Sequence, residues 1–233
     1  MQIFPRSFNL LPAILGLGLA VGGGAATAGV WYYFTPKHTH VGYAPRQPVP
    51  YSHWLHAGQL GMDCRYCHAN VERSPEAMIP PTQTCMNCHA QVRLDSGALA
   101  PVRESWCAQF PPAQRTDANC PGVPAERRAR LTVAQAAIPW VRVHRLPDHA
   151  YFDHSVHVTA GVGCVECHGR VDRMEVVRQE QPLSMGWCLD CHRDPTGRLR
   201  PPSEVTNMNW EPSGPTQQAR PVRPPQTCSG CHR

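Results

Sequence analysis

The sequence predicts one amino-terminal transmembrane α-helix followed by a domain of short helices and much irregular chain, packed around covalently attached prosthetic groups. Three observations carry that expectation. The run from Leu10 to Phe34 contains no charged residue, the pattern Cys-x-x-Cys-His occurs five times, and 25 prolines with 18 glycines interrupt helical and strand periodicity. So few regular elements and so polar a chain leave little apolar area for an ordinary core, which points to a non-protein component as the packing centre.

The first element is the uncharged run. At 1.5 Å per residue a helix of that length crosses a hydrocarbon layer of about 30 Å. Arg6 precedes it and Trp31, Tyr32 and Tyr33 close it, the order expected for a cytoplasmic amino terminus and an aromatic belt at the outer interface. Ala26, Thr27 and Ala28 would also serve as a signal-peptide cleavage site. The reading taken is an uncleaved anchor over residues 1–34. Gly16, Gly18, Gly22, Gly23, Gly24 and Gly29 are many for a helix facing lipid alone, and they suit close approach of a second helix, so the anchor is expected to pack against a larger membrane subunit.

The five motifs end in Cys64, Cys67, His68; Cys85, Cys88, His89; Cys164, Cys167, His168; Cys188, Cys191, His192; and Cys228, Cys231, His232. Two thiols three residues apart can add to the two vinyl groups of one porphyrin, and the next imidazole reaches the iron, so one motif holds one haem. Zinc ribbons and thioredoxin-type pairs also use Cys-x-x-Cys. Neither needs a histidine directly after the second cysteine every time. The domain is therefore expected to be a multihaem cytochrome c of the class III-like kind, carrying five haems c and their iron.

An internal repeat organises it. YSHWLHAGQLGMDCRYCH is matched by YFDHSVHVTAGVGCVECH: an aromatic, two histidines three apart, a glycine-containing turn and a haem motif. Residues 35–50 read as a linker rich in Pro and His, 51–105 as a first dihaem module, 106–135 as an insertion on the surface, 136–200 as a second dihaem module, and 201–233 as a carboxyl-terminal segment with the fifth motif. Cys107 and Cys120, the two cysteines outside the motifs, are expected to close a disulfide in an oxidising compartment.

Each motif supplies one axial ligand, so the sixth position on each iron decides between electron transfer and catalysis. The pairs His53, His56 and His154, His157 stand at i, i+3 spacing before a motif and can ligate two adjacent irons each. The fifth distal ligand is left among Met185, Met174, His144 and His149, with Met185 taken first, because a thioether would raise that haem's potential above its bis-His neighbours. His38 and His40, beside the anchor, are read as solvent-exposed. No open iron remains, which argues against substrate reduction. The formal charge of +5 suggests an anionic partner, but five haems add roughly ten propionate charges and reverse the balance, so nucleic acid is not expected as a partner.

The strings YSHWLHAGQLGMDCRYCH, IPPTQTCMNCH, VRVHRLPDHAYFDHSVH, GVGCVECHGRVDRMEV and PLSMGWCLDCHRDP resemble the pentahaem cytochrome c subunit of bacterial alternative complex III, a quinol:electron-acceptor oxidoreductase, over most of the chain from Val49 onward. The resemblance implies a single-pass anchor in the cytoplasmic membrane, with the haem domain on its periplasmic face. It implies a multi-span quinol-binding subunit and a large iron–sulfur subunit as neighbours, and a monohaem cytochrome c or a terminal oxidase as electron acceptor. It also implies that the first His of each pair serves its own module's first haem and the second a different haem, with four bis-His haems and one His/Met haem. The 106–135 insertion departs from the family pattern. On this reading the chain is an electron relay of the respiratory chain with no catalysis of its own. The alternative, a self-sufficient membrane-anchored quinol dehydrogenase, would need its first haem motif close to the helix, whereas thirty residues separate Phe34 from Cys64.

Overall fold

The computed structural model describes residues 5–35, 39–212 and 222–232, and the chain divides into two compact units, residues 1–41 and 42–233. Residues 1–4 of the anchor, 36–38 of the linker (His38 among them), and 213–221 and 233 of the carboxyl-terminal segment lie outside the described residues.

In the first unit a 3-10 turn, Arg6–Leu10, runs into α1, Leu11–Phe34. Pro12 sits in its first turn, where a missing amide hydrogen costs nothing. Apolar residues surround α1 on all sides, none of its residues is buried, and it is long and apolar enough to cross a membrane. Apart from the helix's own neighbouring backbone, no described protein atom lies within 4 Å of where a Cβ would stand on any of its six glycines.

Among its described residues the second unit holds seven short α-helices: α2 (Cys64–Cys67), α3 (Thr82–His89), α4 (Ala100–Ala108), α5 (Ala125–Arg130), α6 (His154–Ala160), α7 (Cys164–His168) and α8 (Met185–Arg193). A π-helical turn, Trp54–Gln59, precedes them. Among the described residues there is no β-strand, only isolated bridges pairing Ala150 with His232 and Val162 with Leu199. Four of the five Cys-x-x-Cys segments are helical, three of them in helices that begin at or one residue after a Ser, Asp or Pro cap: Asp63 accepts from the Arg65 amide, Ser184 from the Trp187 amide, and Pro81 precedes α3.

Among the described residues two clusters of buried apolar side chains lie around α4, while Val158, Met174, Leu199 and Val205 are buried elsewhere in the unit. Cys107, Ala108, Cys120, Val123 and Leu131 form one buried cluster with Phe110 and Ala136 against it; Val49, Met86 and Val102 form another with Leu99, Trp106, Ile138 and Trp140. The insertion at 106–135 thus contains α5, the end of α4 and a core of its own. A disulfide joins Cys107 to Cys120, with Cα atoms 5.0 Å apart. Buried Arg103 donates to Ser96 O (2.9 Å), and Arg115 donates to Phe110 O (3.0 Å) and Leu131 O (2.8 Å), so guanidinium groups tie the loop backbone together. Ser105 Oγ donates to Ala136 O (2.7 Å) and Gln109 Nε2 to Thr82 Oγ1 (2.7 Å), fastening α4 to the start of α3.

Candidate haem centres

The repeat seen in the sequence is also a repeat in space. His53 and His56 lie at the start of the π-helical turn, and His154 and His157 on the first turn of α6. Tyr51 stacks on His56 (4.5 Å between ring centroids, 22° between planes) and meets His53 edge-on (4.8 Å, 84°). Phe152 does the same with His157 (4.4 Å, 25°) and His154 (4.8 Å, 90°). One aromatic side chain thus sets the orientation of two imidazoles in each module.

A second regularity concerns the ring nitrogens. Nδ1 of His56, His68, His89, His154, His157, His192 and His232 lies 2.6–3.1 Å from a backbone carbonyl: of Ser52, Met78, Val92, Pro75, Asp153, Pro225 and His149 respectively. A carbonyl oxygen only accepts, so Nδ1 carries the proton and Nε2 presents its lone pair. That is how the ring orientation and tautomer of a metal-ligating histidine are set. Met78 reaches its position with φ of 59°, a left-handed conformation that aims its carbonyl at His68.

The imidazoles face one another in pairs. His56 and His89 have ring centroids 6.2 Å apart, His154 and His168 6.4 Å, and His157 and His192 6.1 Å. Two metal–nitrogen bonds of about 2 Å and two ring radii of about 1.1 Å place trans imidazoles about 6.2 Å apart across an iron. The donor set therefore fits haem iron at these three places. His53 neighbours His68, and its buried Nδ1 has no hydrogen-bond partner within the protein. Burial, with His68 and His56 adding, pushes the His53 imidazole down to about 4. Burial pushes His168 down to about 3, with His144 and His154 contributing next, and burial lowers His157 as well. All three are neutral at neutral pH, the form that binds a metal.

The four residues weighed for the remaining distal position stand in different places. His144 meets His168 edge-on at 4.5 Å, too close for an iron between the rings, and its buried Nε2 has no partner within the protein. The His149 ring lies 5.5 Å from that of His232, but its own carbonyl accepts the His232 Nδ1 proton, so its backbone sits behind that imidazole, away from Nε2. Met174 is buried, and its carbonyl accepts from the Trp54 amide. Met185 begins α8 with its side chain two-thirds exposed, three residues before Cys188, whose thiol lies in electrostatic range of Cys231.

Sequence reading had no means to identify the carbonyls of Ser52, Pro75, Met78, Val92, Asp153, Pro225 and His149, because an acceptor carbonyl leaves no mark in the side chain. Tyr51 and Phe152 were visible as aligned aromatics, but their double contact was not.

Residues 150–233 match the family described as cytochrome c7 and related cytochrome c. Over 161 residues the chain is 24% identical to the menaquinone reductase multihaem cytochrome c subunit of Nitratidesulfovibrio vulgaris, an alignment covering 69% of this chain and 58% of that protein. The chain thus spans somewhat over half the length of the curated relative it matches. The carboxyl-terminal third of the chain is thus similar to the multihaem cytochromes c, and the same attachment motif recurs upstream of it.

Proposed function

We propose that this chain attaches five haems c and relays electrons between a quinol-oxidising membrane complex and a monohaem cytochrome c or terminal oxidase, performing no substrate chemistry itself. The observation that carries the reading is the pairing of His56 with His89, His154 with His168 and His157 with His192 at 6.1–6.4 Å between ring centroids, a spacing at which each pair would hold one haem iron between two imidazoles. Bound haem supplies a one-electron iron couple; the protein supplies everything that holds it. Cys64 and Cys67, Cys85 and Cys88, Cys164 and Cys167, Cys188 and Cys191, and Cys228 and Cys231 anchor the five porphyrins. His68, His89, His168, His192 and His232 are the proximal ligands. His53 serves the first, His56 the second, His154 the third and His157 the fourth.

Met185 serves the fifth: Cys188, one turn along α8, neighbours Cys231, while His144 lies against His168 and the His149 carbonyl sits on the Nδ1 side of His232. Where a carbonyl accepts from Nδ1 it fixes the tautomer and holds the ring, so a change of iron charge would meet fixed dipoles and little would have to reorganise. The glycine-rich α1 anchors the chain beside a multi-span quinol-binding subunit, with a large iron–sulfur subunit next to it and the haem domain on the periplasmic face of the cytoplasmic membrane. Support for a quinone-linked complex comes from the relative's name.

The test is a pyridine haemochrome count together with low-temperature EPR and near-infrared MCD of the oxidised full-length protein. Five haems per chain are expected, four with bis-His and one with His/Met signatures, and Met185→Leu should convert only the His/Met signal. A high-spin component in the intact protein, or fewer than five haems, overturns the reading.

A further inference from the structure

Which haems neighbour which is not given by the order of the motifs along the chain, but contacts between motifs specify it. Within each module the two distal histidines are one helical turn apart, so the first and second attachment sites are neighbours through His53 and His56, and the third and fourth through His154 and His157. Asn87 Nδ2, inside the second motif, donates to Tyr66 Oη, inside the first (3.1 Å).

The two modules are joined at the first and third motifs. The Cys64 and Cys164 sulfurs are close neighbours. Both motifs dock on one short stretch: Arg65 donates to Pro202 O (2.8 Å), Thr206 Oγ1 to Asp63 (2.7 Å), and the Cys164 amide to Val205 O (3.0 Å). His154 of the second module donates through Nδ1 to Pro75 O of the first (2.7 Å), and the Trp54 amide of the first donates to Met174 O of the second (3.0 Å). The fifth motif attaches beside the fourth. His192 Nδ1 donates to Pro225 O (2.7 Å) and Gln226 Nε2 to His192 O (3.2 Å), just ahead of Cys228. On its other side the Tyr151 amide donates to Cys231 O (2.7 Å), holding it against the chain that enters α6.

We propose that the five attachment sites stand in single file in the order second, first, third, fourth, fifth, so that electrons enter and leave this chain at the second and fifth sites. The junction between the modules is then the middle of the file, where the contacts joining the modules concentrate. Neither the first site nor the third is an end. The second site, at one end, is backed by α4 and the disulfide-bonded insertion; the fifth, at the other, rests on the turn Cys228–Gly230.

This inference rests on the five-haem reading, and one experiment separates the two. Iron positions are located in the full-length holoprotein by electron cryomicroscopy, with each iron assigned from its thioether links. Consecutive irons in the stated order should be nearest neighbours, with the second and fifth farthest apart. Five haems in any other order overturn the proposal and leave the five-haem reading standing; fewer than five overturn that reading and this one with it. A redox titration of His154→Met, which raises the potential of the third site, provides a second readout. The apparent potentials of the first and fourth haems should shift more than those of the second and fifth. Equal shifts at all four, or larger ones at the ends, contradict the single file.

Discussion

Replacing Arg200 with methionine should loosen the third attachment motif more than any exposed substitution could. The Arg200 side chain is 3% exposed and its Nη2 lies 2.6 Å from Glu166 Oε1, inside the motif itself, with Glu166 26% exposed. Nη1 donates to Asn207 O at 3.1 Å, the guanidinium lies 4.9 Å from the Trp210 ring centroid, and its flat face fills the space where Gly163 has no Cβ. Removing one partner of a fully buried ion pair costs about 3–5 kcal/mol; the partial exposure of Glu166 reduces this to about 2. The charged hydrogen bond to Asn207 adds about 1 and the cation–π contact about 1, while a buried methionine returns about 1 kcal/mol of apolar transfer. The net is about 3 kcal/mol, or a fall in melting temperature of roughly 6–12 °C for a domain of this size. Thermal unfolding of the holoprotein, followed at the Soret band and by far-UV circular dichroism, measures it. A double-mutant cycle with Glu166→Gln should give a coupling of about 2 kcal/mol. A shift below about 2 °C, or a coupling below about 0.5 kcal/mol, would refute the claim that this pair holds the motif.

Two further outcomes are expected. Cys107→Ala together with Cys120→Ala opens a disulfide spanning 13 residues and should cost on the order of 3 kcal/mol in denaturant unfolding, with the haem count unchanged; an unaltered midpoint contradicts a structural role for the bond. Burial holds His53 near 4 and His168 near 3, against about 6.5 when exposed, so the stability these neutral imidazoles contribute is present above about 6.5 and is lost as pH falls through 4 towards 3. Far-UV circular dichroism should be retained at pH 5 and lost below about 4, whereas an unfolding transition centred near 6 contradicts it.

The insertion shows where sequence reading falls short. Read as a surface loop because Pro111, Pro112, Pro121 and Pro124 interrupt any periodicity, it holds one of the two apolar clusters, with Cys107 fully buried, Cys120 1% exposed and Val123 and Leu131 both 5%. Those side chains converge through a covalent bond and guanidinium-to-carbonyl contacts, neither of which leaves a 3.6- or 2-residue period. The placement of the two His-x-x-His pairs, by contrast, was legible, because three residues bring two side chains to one face of a helical turn whatever surrounds it.

The same division holds for the whole molecule. Covalent haem attachment is chemistry within five consecutive residues, and a membrane-crossing helix needs only an uncharged run of sufficient length, so residues 10–34 and the five Cys-x-x-Cys-His motifs were determined by the sequence alone. Which carbonyl accepts from which imidazole, which thiols become neighbours and which histidines are brought together in pairs were decided only by the tertiary structure. His154 reaches Pro75 across 79 residues, His232 reaches His149 across 83, and His192 reaches Pro225 across 33. The acceptors in those contacts are backbone oxygens, which every residue carries, so their selection depends on where the chain returns in space and not on which side chain it bears.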